Sequence, residues 1–483
     1  MMKNCFYCFL IFAGLTFSAA VSAEEKPVQL SSSDKMEWWD AAKYGMFVHW
    51  GPYALYGGVY MGHRQKRIGC EWIMNTCKIP VMEYKAKAST FNPKNFCADS
   101  LVLLAKRSGM KYLVFTTKHH DGFAMYDSDA SRFNIVDYTS YGKDIVDQVV
   151  QSCRKQGLKF GFYYSQSQDW CNPGGAVSSK TLDYGWNHPE KEYLEWYIKQ
   201  NKGHWDALQM TKTFEEYYET VALPQVRELV TRYPDVSMFF FDTPRDMTLE
   251  QARGIMKEIE KYPHIIVNDR LNRPHLPGDF KTPEGKVPNP ADVAGVYWET
   301  CMNIGKSWGY CSWEKRWKDS EVILKNLIQI AARGGNYLLN VGPDPEGNIP
   351  AAALERLDYV GKWLHKYGEV IYGTQRSLMT PEWGEVTRKD TENATVYYLC
   401  VFSWPEDGKV RVESKLPASS AVAMWDGSQL KVANSGKGFT VRLENNSGEV
   451  PAVIKVELKG KLPPVVLKTN TEKYFEIVDD PGR

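Results

Sequence analysis

Two adjacent histidines stand at the end of a stretch that is otherwise apolar. Residues 112–117 are mostly β-branched and aromatic, which is typical of a strand in a covered sheet, and His119, His120 and Gly122 follow closely. Neighbouring residues of a regular strand point to opposite faces, so both imidazoles can reach one site only if the strand ends there. Such a pair suits a ligand with several hydroxyl groups, and it also suits a metal ion.

Four other apolar stretches also end in polar or charged side chains. In a parallel barrel the catalytic groups lie at the carboxyl ends of the strands, which meet on one face. A buried carboxylate, guanidinium or imidazole needs a polar partner, so five such ends together favour one common site over five separate core positions. The additional polar ends are His49, Tyr164, Asp242 and Arg270.

A pair of carboxyl groups at this site would suit glycoside hydrolysis. In a retaining glycosidase one carboxylate is the nucleophile, and a second carboxyl group about 5 Å away is the general acid and base. Asp242 fits the nucleophile because it ends an almost wholly apolar stretch; its alternative role is a helix N-cap. For the second carboxyl the chain offers Glu284 on a Pro/Gly-rich loop, Glu71, and Glu299, which could instead be buried and paired with Arg270.

A metal-dependent barrel hydrolase is an alternative for the same side chains. His49, His119, His120 and Asp242 are all ligand types for a catalytic metal ion. The chain has no His-x-His pair, which would put two imidazoles on one face of a strand, and beyond residue 23 it has no cysteine pair with zinc-site spacing. It also lacks the nucleotide-binding patterns GxGxxG and GxxxxGKS/T. These absences argue against a metal site and against a dinucleotide or P-loop site, without excluding the metal-dependent hydrolase.

Between residues 35 and 373, stretches with strand character alternate with amphipathic stretches of helical period. Residues 97–109 and 144–157, for example, place their apolar side chains on one helical face. This alternation predicts an α/β fold with a parallel sheet, and seven or eight units favour a TIM-like (β/α) barrel over an open doubly wound sheet. The strand stretches are 45–49, 111–117, 159–165, 236–242, 265–268, 295–300 and 336–341.

The pattern changes in residues 374–483, where short alternating stretches are separated by polar turns. Stretches such as 395–402 and 452–458 predict a C-terminal antiparallel β-sandwich. We expect this domain to brace the barrel, with carbohydrate binding as its alternative role. Within the barrel, the polar segment 170–212 interrupts the alternation, and we expect it on a loop beside the site.

Residues 1–23 are typical of a secretory signal peptide, with Lys3 ahead of a hydrophobic stretch and a small-residue cleavage site at the end. No later apolar run is long enough to span a bilayer. We therefore expect an exported bacterial protein, periplasmic or extracellular. The 59 basic residues less Lys3 balance the 58 acidic ones, which argues against a nucleic-acid partner. The sequence leaves a homo-oligomer open.

Cysteines beyond the signal peptide lie scattered between Cys70 and Cys400. Export permits disulfide bonds, although a protein of this size does not need them. The candidate pairs are Cys301 with Cys311 and Cys70 with Cys77.

Several motifs, taken together in their order along the chain, resemble those of the α-L-fucosidases of glycoside hydrolase family 29. The resemblance runs from about Trp38 to Gly373, and the added β-sandwich is similar to that family's as well. It implies a retaining exo-hydrolase that removes terminal α-L-fucose from oligosaccharides or glycoconjugates by double displacement, without metal or cofactor. The motifs are FVHWG, KHHDGF, the strand end at Asp242, VNDR, WETCMNIGKSWGY and GGNYLLNVGPDPEG.

The resemblance also implies roles for individual residues. Asp242 maps to the nucleophile, and Glu284, on the DF-x-TPE loop, maps to the acid/base of similar relatives. Phe240 stands where the family commonly has a tryptophan, so ring stacking is kept without the indole N–H. Trp308 is expected to contact the apolar methyl side of fucose. The other fucose-binding residues implied are His49, Glu71, Trp72, His119, His120, Tyr164 and Arg270.

Two other functions stay open at this point. The first is a fucose-binding protein that has lost catalysis, against which both carboxyl groups are present. The second is the metal-dependent barrel hydrolase using His49, His119 and His120. Loss of activity with a chelator, and its return with zinc, would favour that second function.

Overall fold

A parallel sheet of seven strands forms the wall of a barrel. The computed structural model describes residues 32–66, 69–178, 187–377, 379–443 and 448–472. The strands of this sheet in chain order are β1 (Tyr44–Val48), β4 (Tyr112–Lys118), β5 (Lys159–Tyr164), β6 (Met238–Phe241), β7 (Ile266–Val267), β8 (Glu299–Asn303) and β9 (Asn336–Val341). Between β1 and β4 the chain forms a separate two-stranded hairpin of β2 (Val59–Tyr60) and β3 (His63–Arg64). The sheet order is β7-β6-β5-β4-β1-β9-β8, which confirms the predicted parallel barrel architecture.

Residues 279–285 fill the gap between the two edge strands, β7 and β8. On one side the Asp279 amide donates to the Val267 carbonyl at 2.7 Å. On the other side the Gly285 amide donates to the Cys301 carbonyl at 3.0 Å. The segment therefore takes the place of an eighth strand, although its pairing is irregular. Isolated parallel bridges join Asn268 to Phe280, Lys281 to Trp298 and Glu284 to Cys301.

Most helices pack on the outside of the sheet, whereas Met36 and Trp39 of the first helix pack with the interior ring of Phe47. The predicted amphipathic stretches 97–109 and 144–157 contain α4 (Ala98–Arg107) and α5 (Ile145–Gln156). The Asp144 side chain caps α5 by accepting from the Asp147 amide, and Gly157 ends that helix with a φ of 71°. Thr248 and Gln251 form a capping box at the start of α9 (Leu249–Ile259). The helices are α1 (Ser32–Ala42), α2 (Ile73–Thr76), α3 (Val81–Ala88), α4 (Ala98–Arg107), α5 (Ile145–Gln156), α6 (Lys191–Gln200), α7 (Phe214–Tyr217), α8 (Leu223–Arg232), α9 (Leu249–Ile259), α10 (Ser320–Ala332) and α11 (Ala351–Tyr367).

Strand side chains alternate between the helical layer and the barrel interior, and this alternation decides which residues reach the site. Phe239 and Phe241 pack with the helices, whereas Phe240 points inward together with Phe47 and Tyr163. The rings of Tyr163 and Phe240 stack with centroids 6.0 Å apart, and Phe47 lies 5.0 Å from Phe240. These inward rings support the polar strand ends.

Two antiparallel sheets follow the barrel, as predicted. Their strands are β10 (Gln375–Arg376), β11 (Gly384–Asp390), β12 (Thr395–Val401), β13 (Lys409–Glu413), β14 (Ala418–Ala423), β15 (Lys431–Ser435), β16 (Gly438–Arg442) and β17 (Ala452–Leu458). Five form one sheet in the order β10-β11-β12-β17-β14, and three form the other in the order β13-β16-β15. After β17 the chain returns to the barrel, where the Tyr297 amide donates to the Lys468 carbonyl at 3.2 Å. This end of the predicted sandwich segment therefore contacts the barrel.

Two predictions concern the chain outside these elements. The predicted signal peptide, residues 1–23, lies outside the described residues. Within the described ranges, the structure has no helix that is both long enough and apolar enough to cross a membrane. The predicted interruption at 170–212 contains α6, and its first part brings Ser178 to the cavity described below.

Candidate active site

A cavity of about 480 Å³ lies at the carboxyl ends of the barrel strands. Its volume is in the range of pockets that hold small ligands. Both aromatic rings and charged groups line it, as expected for a site that binds a sugar with one apolar and one hydroxylated side. Its lining includes Phe47, His49, Glu71, Trp72, His119, His120, Tyr163, Phe240, Asp242, Arg270, Glu284, Cys301 and Trp308.

Asp242 is the first residue after β6 and enters this cavity. Its Oδ1 accepts from Arg270 Nη1 at 2.9 Å, and its Oδ2 accepts from the Tyr163 hydroxyl at 3.1 Å. His120 Nε2 lies 3.6 Å from the same Oδ2. Burial alone would raise the pKa of Asp242, but Arg270 and His120 outweigh burial and lower the pKa to about 2. Thr248, and not Asp242, is the N-cap of the next helix, so the alternative N-cap role does not apply.

Arg270 links the two predicted catalytic carboxyl groups. Its Nη1 binds Asp242, and its Nη2 donates to Glu284 Oε2, also at 2.9 Å. Its Nε donates to Thr282 Oγ1 at 2.9 Å, which fixes the plane of the buried guanidinium. Glu284 has 46% of its side chain exposed, whereas Asp242 has 19%. The two carboxyl groups therefore share one guanidinium, with Glu284 nearer to solvent.

The segment that carries Glu284 differs from the prediction. We expected a loop free to hang over the site, whereas Glu284 is held beside Cys301 by a parallel bridge. The difference arises because Pro283 and Gly285 predict a turn, while the pairing with β7 and β8 imposes a strand-like path.

Glu299, the alternative acid/base, lies below the cavity at the start of β8. It is fully buried, its Oε2 accepts from the Tyr112 hydroxyl, and it is absent from the cavity lining. Burial raises the pKa of Glu299 to about 8. The prediction that it pairs with Arg270 is wrong in its partner, because Arg270 binds Asp242 and Glu284.

The two histidines both reach the cavity because β4 ends at Lys118. Gly122 turns the chain with a φ of 83°, and its amide donates to the His119 carbonyl at 3.0 Å. His120 Nδ1 lies 2.6 Å from Ser165 Oγ. His119 stacks on Tyr163, with 5.5 Å between ring centroids. Burial lowers the pKa of His119, so its imidazole is neutral.

Lys118 points away from the cavity and anchors the turn. Its Nζ lies 3.0 Å from Asp169 Oδ2 in a fully buried ion pair and donates to the Tyr217 hydroxyl at 2.5 Å. The loop after β5 is bound to this turn as well, because the Trp170 amide donates to the His120 carbonyl at 2.9 Å. Lys118 and His119 therefore point in different directions at the end of β4: Lys118 is a buried anchor, and His119 lines the cavity.

Tyr164, like Glu299, is a predicted site residue that the structure places outside the cavity lining. Its hydroxyl donates to Gln225 Oε1 at 2.8 Å among the helices, and it does not line the cavity. Tyr163, one position earlier, points inward and binds Asp242. The sequence analysis named Tyr164 and missed Tyr163, because two adjacent tyrosines on a strand do not indicate which of them faces inward. The only sequence signal is the two-residue alternation, and it becomes decisive once Tyr163 is seen to pair with Phe240 across the sheet.

The remaining predicted binding residues come from loops and from β1. Glu71 Oε2 accepts from Ser307 Oγ at 3.1 Å and from the Gly309 amide at 2.9 Å. Burial raises the pKa of Glu71, although these hydrogen bonds oppose it. The Trp72 ring lies edge-on to His120 with 5.0 Å between centroids.

His49 and Trp308 form the opposite wall of the cavity, with their ring centroids 5.0 Å apart. His49 Nδ1 donates to Asn340 Oδ1 at 2.7 Å, and Asn340 Nδ2 donates to the Trp308 carbonyl at 2.7 Å. Burial lowers the pKa of His49 to about 3, so this imidazole is also neutral. The sequence analysis missed Asn340, because its role depends on packing between distant segments.

In the described ranges, no group of three or more His, Cys, Asp or Glu has an arrangement suited to holding a metal ion. His49 Nδ1 binds Asn340, and His120 Nδ1 lies beside Ser165 while its Nε2 lies 3.6 Å from Asp242 Oδ2.

Comparison with known proteins places the chain in one family. The alpha-L-fucosidase family model matches residues 15–369. Tissue alpha-L-fucosidase of Rattus norvegicus is 29% identical over 413 residues, which cover 82% of each chain. Alpha-L-fucosidase of Dictyostelium discoideum is 27% identical over 416 residues, which cover 79% of this chain and 80% of that one.

Solved structures agree with the sequence comparison. The crystal structure of alpha-L-fucosidase from Vibrio sp. strain EJY3 is 31% identical with a TM-score of 0.76, and the match covers 89% of this chain and 73% of that one. An alpha-L-fucosidase from Lactobacillus casei in complex with alpha-L-fucose product is 34% identical with a TM-score of 0.59, covering 68% of this chain and 99% of that one. Since the family model spans most of the chain and the barrel carries its site at the expected strand ends, this protein belongs to the alpha-L-fucosidases of glycoside hydrolase family 29 and is a glycoside hydrolase.

Proposed function

We propose that the protein is a retaining exo-α-L-fucosidase that removes terminal α-L-fucose from oligosaccharides or glycoconjugates. Asp242 is the nucleophile and Glu284 is the general acid and base. The observation that carries this proposal is that one buried guanidinium, Arg270, binds both carboxyl groups at the cavity. A retaining mechanism needs two carboxyl groups close together, about 5 Å apart. In support of this, the shared guanidinium brings the Asp242 and Glu284 carboxyl groups to the same side chain.

Asp242 has the properties of a nucleophile. Its pKa of about 2 keeps it ionised, and its two oxygens are held in place by Arg270 and Tyr163. It attacks the anomeric carbon through an oxocarbenium-like transition state, and a covalent fucosyl-enzyme forms. The negative charge of Asp242 is lost when this ester forms, and Arg270 then remains paired with Glu284.

Glu284 has the position that the acid/base requires. Its partial exposure places it where the leaving group meets solvent. It donates a proton to the departing glycosidic oxygen in the first step and takes a proton from water in the second step. Glu71 is also a carboxyl group at the cavity, but it is buried and its Oε2 is engaged by Ser307 and Gly309. We therefore assign Glu71 to sugar binding.

The shape and chemistry of the cavity support fucose as the sugar. Neutral His49 donates from Nδ1 to Asn340, so its Nε2 can accept from a sugar hydroxyl, whereas neutral His119 can donate to or accept from one. Trp308 and Phe240 offer apolar surface for the methyl group, and Arg270 lies over the Phe240 ring at 5.4 Å. The bound alpha-L-fucose product named for the Lactobacillus casei relative is in keeping with this choice.

A single assay with two readouts tests the proposal. The purified protein is incubated with 4-nitrophenyl α-L-fucoside, with and without EDTA, and the released sugar is followed by NMR. We expect chelator-insensitive release of 4-nitrophenol and α-L-fucose as the first-formed anomer. First-formed β-L-fucose would contradict retention. Release that stops with EDTA and returns with zinc would favour the metal-dependent hydrolase.

A fucose-binding protein without catalysis is tested in parallel. Calorimetric titration with α-L-fucose would then show binding, while neither the aryl fucoside nor fucosylated oligosaccharides would yield product. Turnover of any of these substrates would contradict the binding-only function.

We also propose that the protein is exported to a bacterial periplasm or beyond the cell. The support is the pattern of residues 1–23 described above. N-terminal sequencing of protein secreted by a bacterial host would test it, with cleavage after Ala23 as the expected result. An intact N-terminus on the secreted protein would contradict it.

A further inference from the structure

Cys70 and Cys311 lie side by side in the structure. Both are free thiols, and they are hydrogen-bonded to each other although they are far apart in the sequence. The sequence analysis paired Cys311 with Cys301 and Cys70 with Cys77. The structure instead brings Cys311 against Cys70, while Cys301 lines the active-site cavity.

The surroundings of these thiols keep them together. Cys70 is fully buried and Cys311 is 9% exposed. Gly58 lies against Cys70, since a Cβ at that position would stand 2.5 Å from the Cys70 sulfur and 3.0 Å from Trp313 Nε1. A side chain larger than hydrogen does not fit there, which explains the glycine.

Backbone contacts hold the two loops in register on both sides of the thiols. The Cys70 amide donates to Ser307 Oγ at 2.8 Å, and the Ser312 amide donates to the Gly57 carbonyl at 3.0 Å. Glu71 accepts from the Gly309 amide. These contacts hold the backbones around the two thiols close together before any bond forms between the sulfurs.

We propose that Cys70 and Cys311 form a disulfide bond in the oxidised protein, which cross-links the loop of Glu71 to the loop of Trp308. The oxidant is a disulfide, either a small molecule or a thiol–disulfide exchange enzyme. The first cysteine thiolate attacks one sulfur of that disulfide and releases one thiolate. The second cysteine then attacks the mixed disulfide and releases the other. Two protein thiols are oxidised, the incoming disulfide is reduced, and the two protons end on the released thiols.

Cys311 is the thiol that attacks first. The hydrogen bond from Cys70 lowers the pKa of Cys311, whereas the hydrogen bond to Cys311 raises the pKa of Cys70. Cys311 is also the more exposed of the two. A thiolate with a lowered pKa and access to solvent is the group that reacts in thiol–disulfide exchange.

The cross-link has a consequence for the active site, which rests on the proposed function. Glu71 directly follows Cys70, and Trp308 lies three positions before Cys311. Both line the cavity, and Ser307 and Gly309 already bridge the gap between them. A covalent bond would fix the distance between the two loops. Less conformational entropy of the loops would then be lost when fucose binds.

The test titrates the full chain with glutathione buffers, from fully reduced to fully oxidised. Free thiols are blocked with N-ethylmaleimide, and unreduced digests are mapped by mass spectrometry. We expect a linked peptide containing Cys70 and Cys311 to appear as the oxidised fraction rises. We expect the melting temperature to rise with it, by about 5 °C, because the cross-link restricts the unfolded chain. KM for the aryl fucoside should fall about threefold, with kcat nearly unchanged.

Two variants complete the experiment. The double variant Cys70→Ser/Cys311→Ser should lose the response of both melting temperature and KM to oxidation. Cys97→Ser, at an exposed cysteine, should keep the full response.

Three results decide the inference. Alkylation of both thiols at every glutathione ratio would overturn it, as would a linked peptide that joins either residue to Cys301. A Cys70–Cys311 link that raises the melting temperature without changing KM would overturn only the effect on the sugar site. The link and the melting temperature are measured without substrate, so a failure of the proposed function is distinguishable from a failure of the cross-link.

Discussion

Asp242 and Arg270 form a close ion pair at the centre of the cavity, with 2.9 Å between Oδ1 and Nη1. Both belong to the ends of neighbouring barrel strands, so the barrel itself sets their separation. The pair keeps Asp242 ionised, as a nucleophile must be. Arg270 also has a second role, because its other terminal nitrogen, Nη2, binds Glu284.

Replacing Asp242 should abolish turnover. We expect Asp242→Ala to lower kcat for 4-nitrophenyl α-L-fucoside by about 10⁴-fold or more, because no covalent intermediate can form. Circular dichroism should match the wild type. Sodium azide should restore part of the activity of Asp242→Ala and give β-L-fucosyl azide, because azide then attacks directly at the anomeric carbon. Activity close to that of the wild type would rule out Asp242 as the nucleophile.

Replacing Glu284 should have an effect that depends on the leaving group. We expect Glu284→Ala to lower kcat/KM by about 10²- to 10⁴-fold on a fucosylated oligosaccharide, and by much less on an aryl fucoside whose leaving group needs no proton. Azide should restore activity here with α-L-fucosyl azide as product, since it intercepts the fucosyl-enzyme.

Glu71→Ala is the matched control for Glu284→Ala, because both carboxyl groups line the cavity. We expect it to raise KM for both substrates alike, without azide rescue. If Glu71→Ala shows the leaving-group dependence and Glu284→Ala does not, the acid/base is Glu71.

Removing the positive charge at Arg270 should move the acidic limb of the pH–activity profile. Arg270 is the main group that lowers the pKa of Asp242, so Arg270→Met should raise that pKa. As pH falls, the variant should therefore protonate Asp242 and lose kcat/KM at a higher pH than the wild type. Arg270→Lys keeps the charge but loses the double contact, so its kcat should fall with less movement of the limb. An acidic limb in Arg270→Met that coincides with the wild type would contradict this electrostatic role.

Glu299 should make the folded protein less stable as pH rises. Its pKa in the folded state is about 8 against an ordinary value of 4.5. The unfolded chain therefore releases this proton first, and stability falls between these values by at most about 1.4 kcal/mol per pH unit. Glu299→Gln has no proton to lose, so its melting temperature should rise relative to the wild type between about pH 5 and pH 8. A difference that does not vary with pH would contradict the raised pKa.

The strand ends could be predicted from the sequence, and the closing of the barrel could not. Asp242 stands out in the sequence because a run of apolar residues ends there, so its place at a strand end can be predicted without knowing how the strands pair. Glu284 lies among Pro283 and Gly285, which indicate a turn, and only hydrogen bonds to both edge strands give the segment its strand-like path. Asn340, which joins His49 to Trp308, has a role set by the packing of three distant segments.

Tyr163 and Tyr164 are neighbours on β5, and the same substitution should affect them differently. Tyr163→Phe removes a hydrogen bond to Asp242, so we expect kcat to fall about tenfold, equivalent to about 1.4 kcal/mol, with little change in melting temperature. Tyr164→Phe removes the hydrogen bond to Gln225 among the helices, so we expect a loss of about 1 kcal/mol in stability and an unchanged kcat. Kinetics and thermal melting of both variants check this, and a fall in kcat confined to Tyr164→Phe would restore the original sequence assignment.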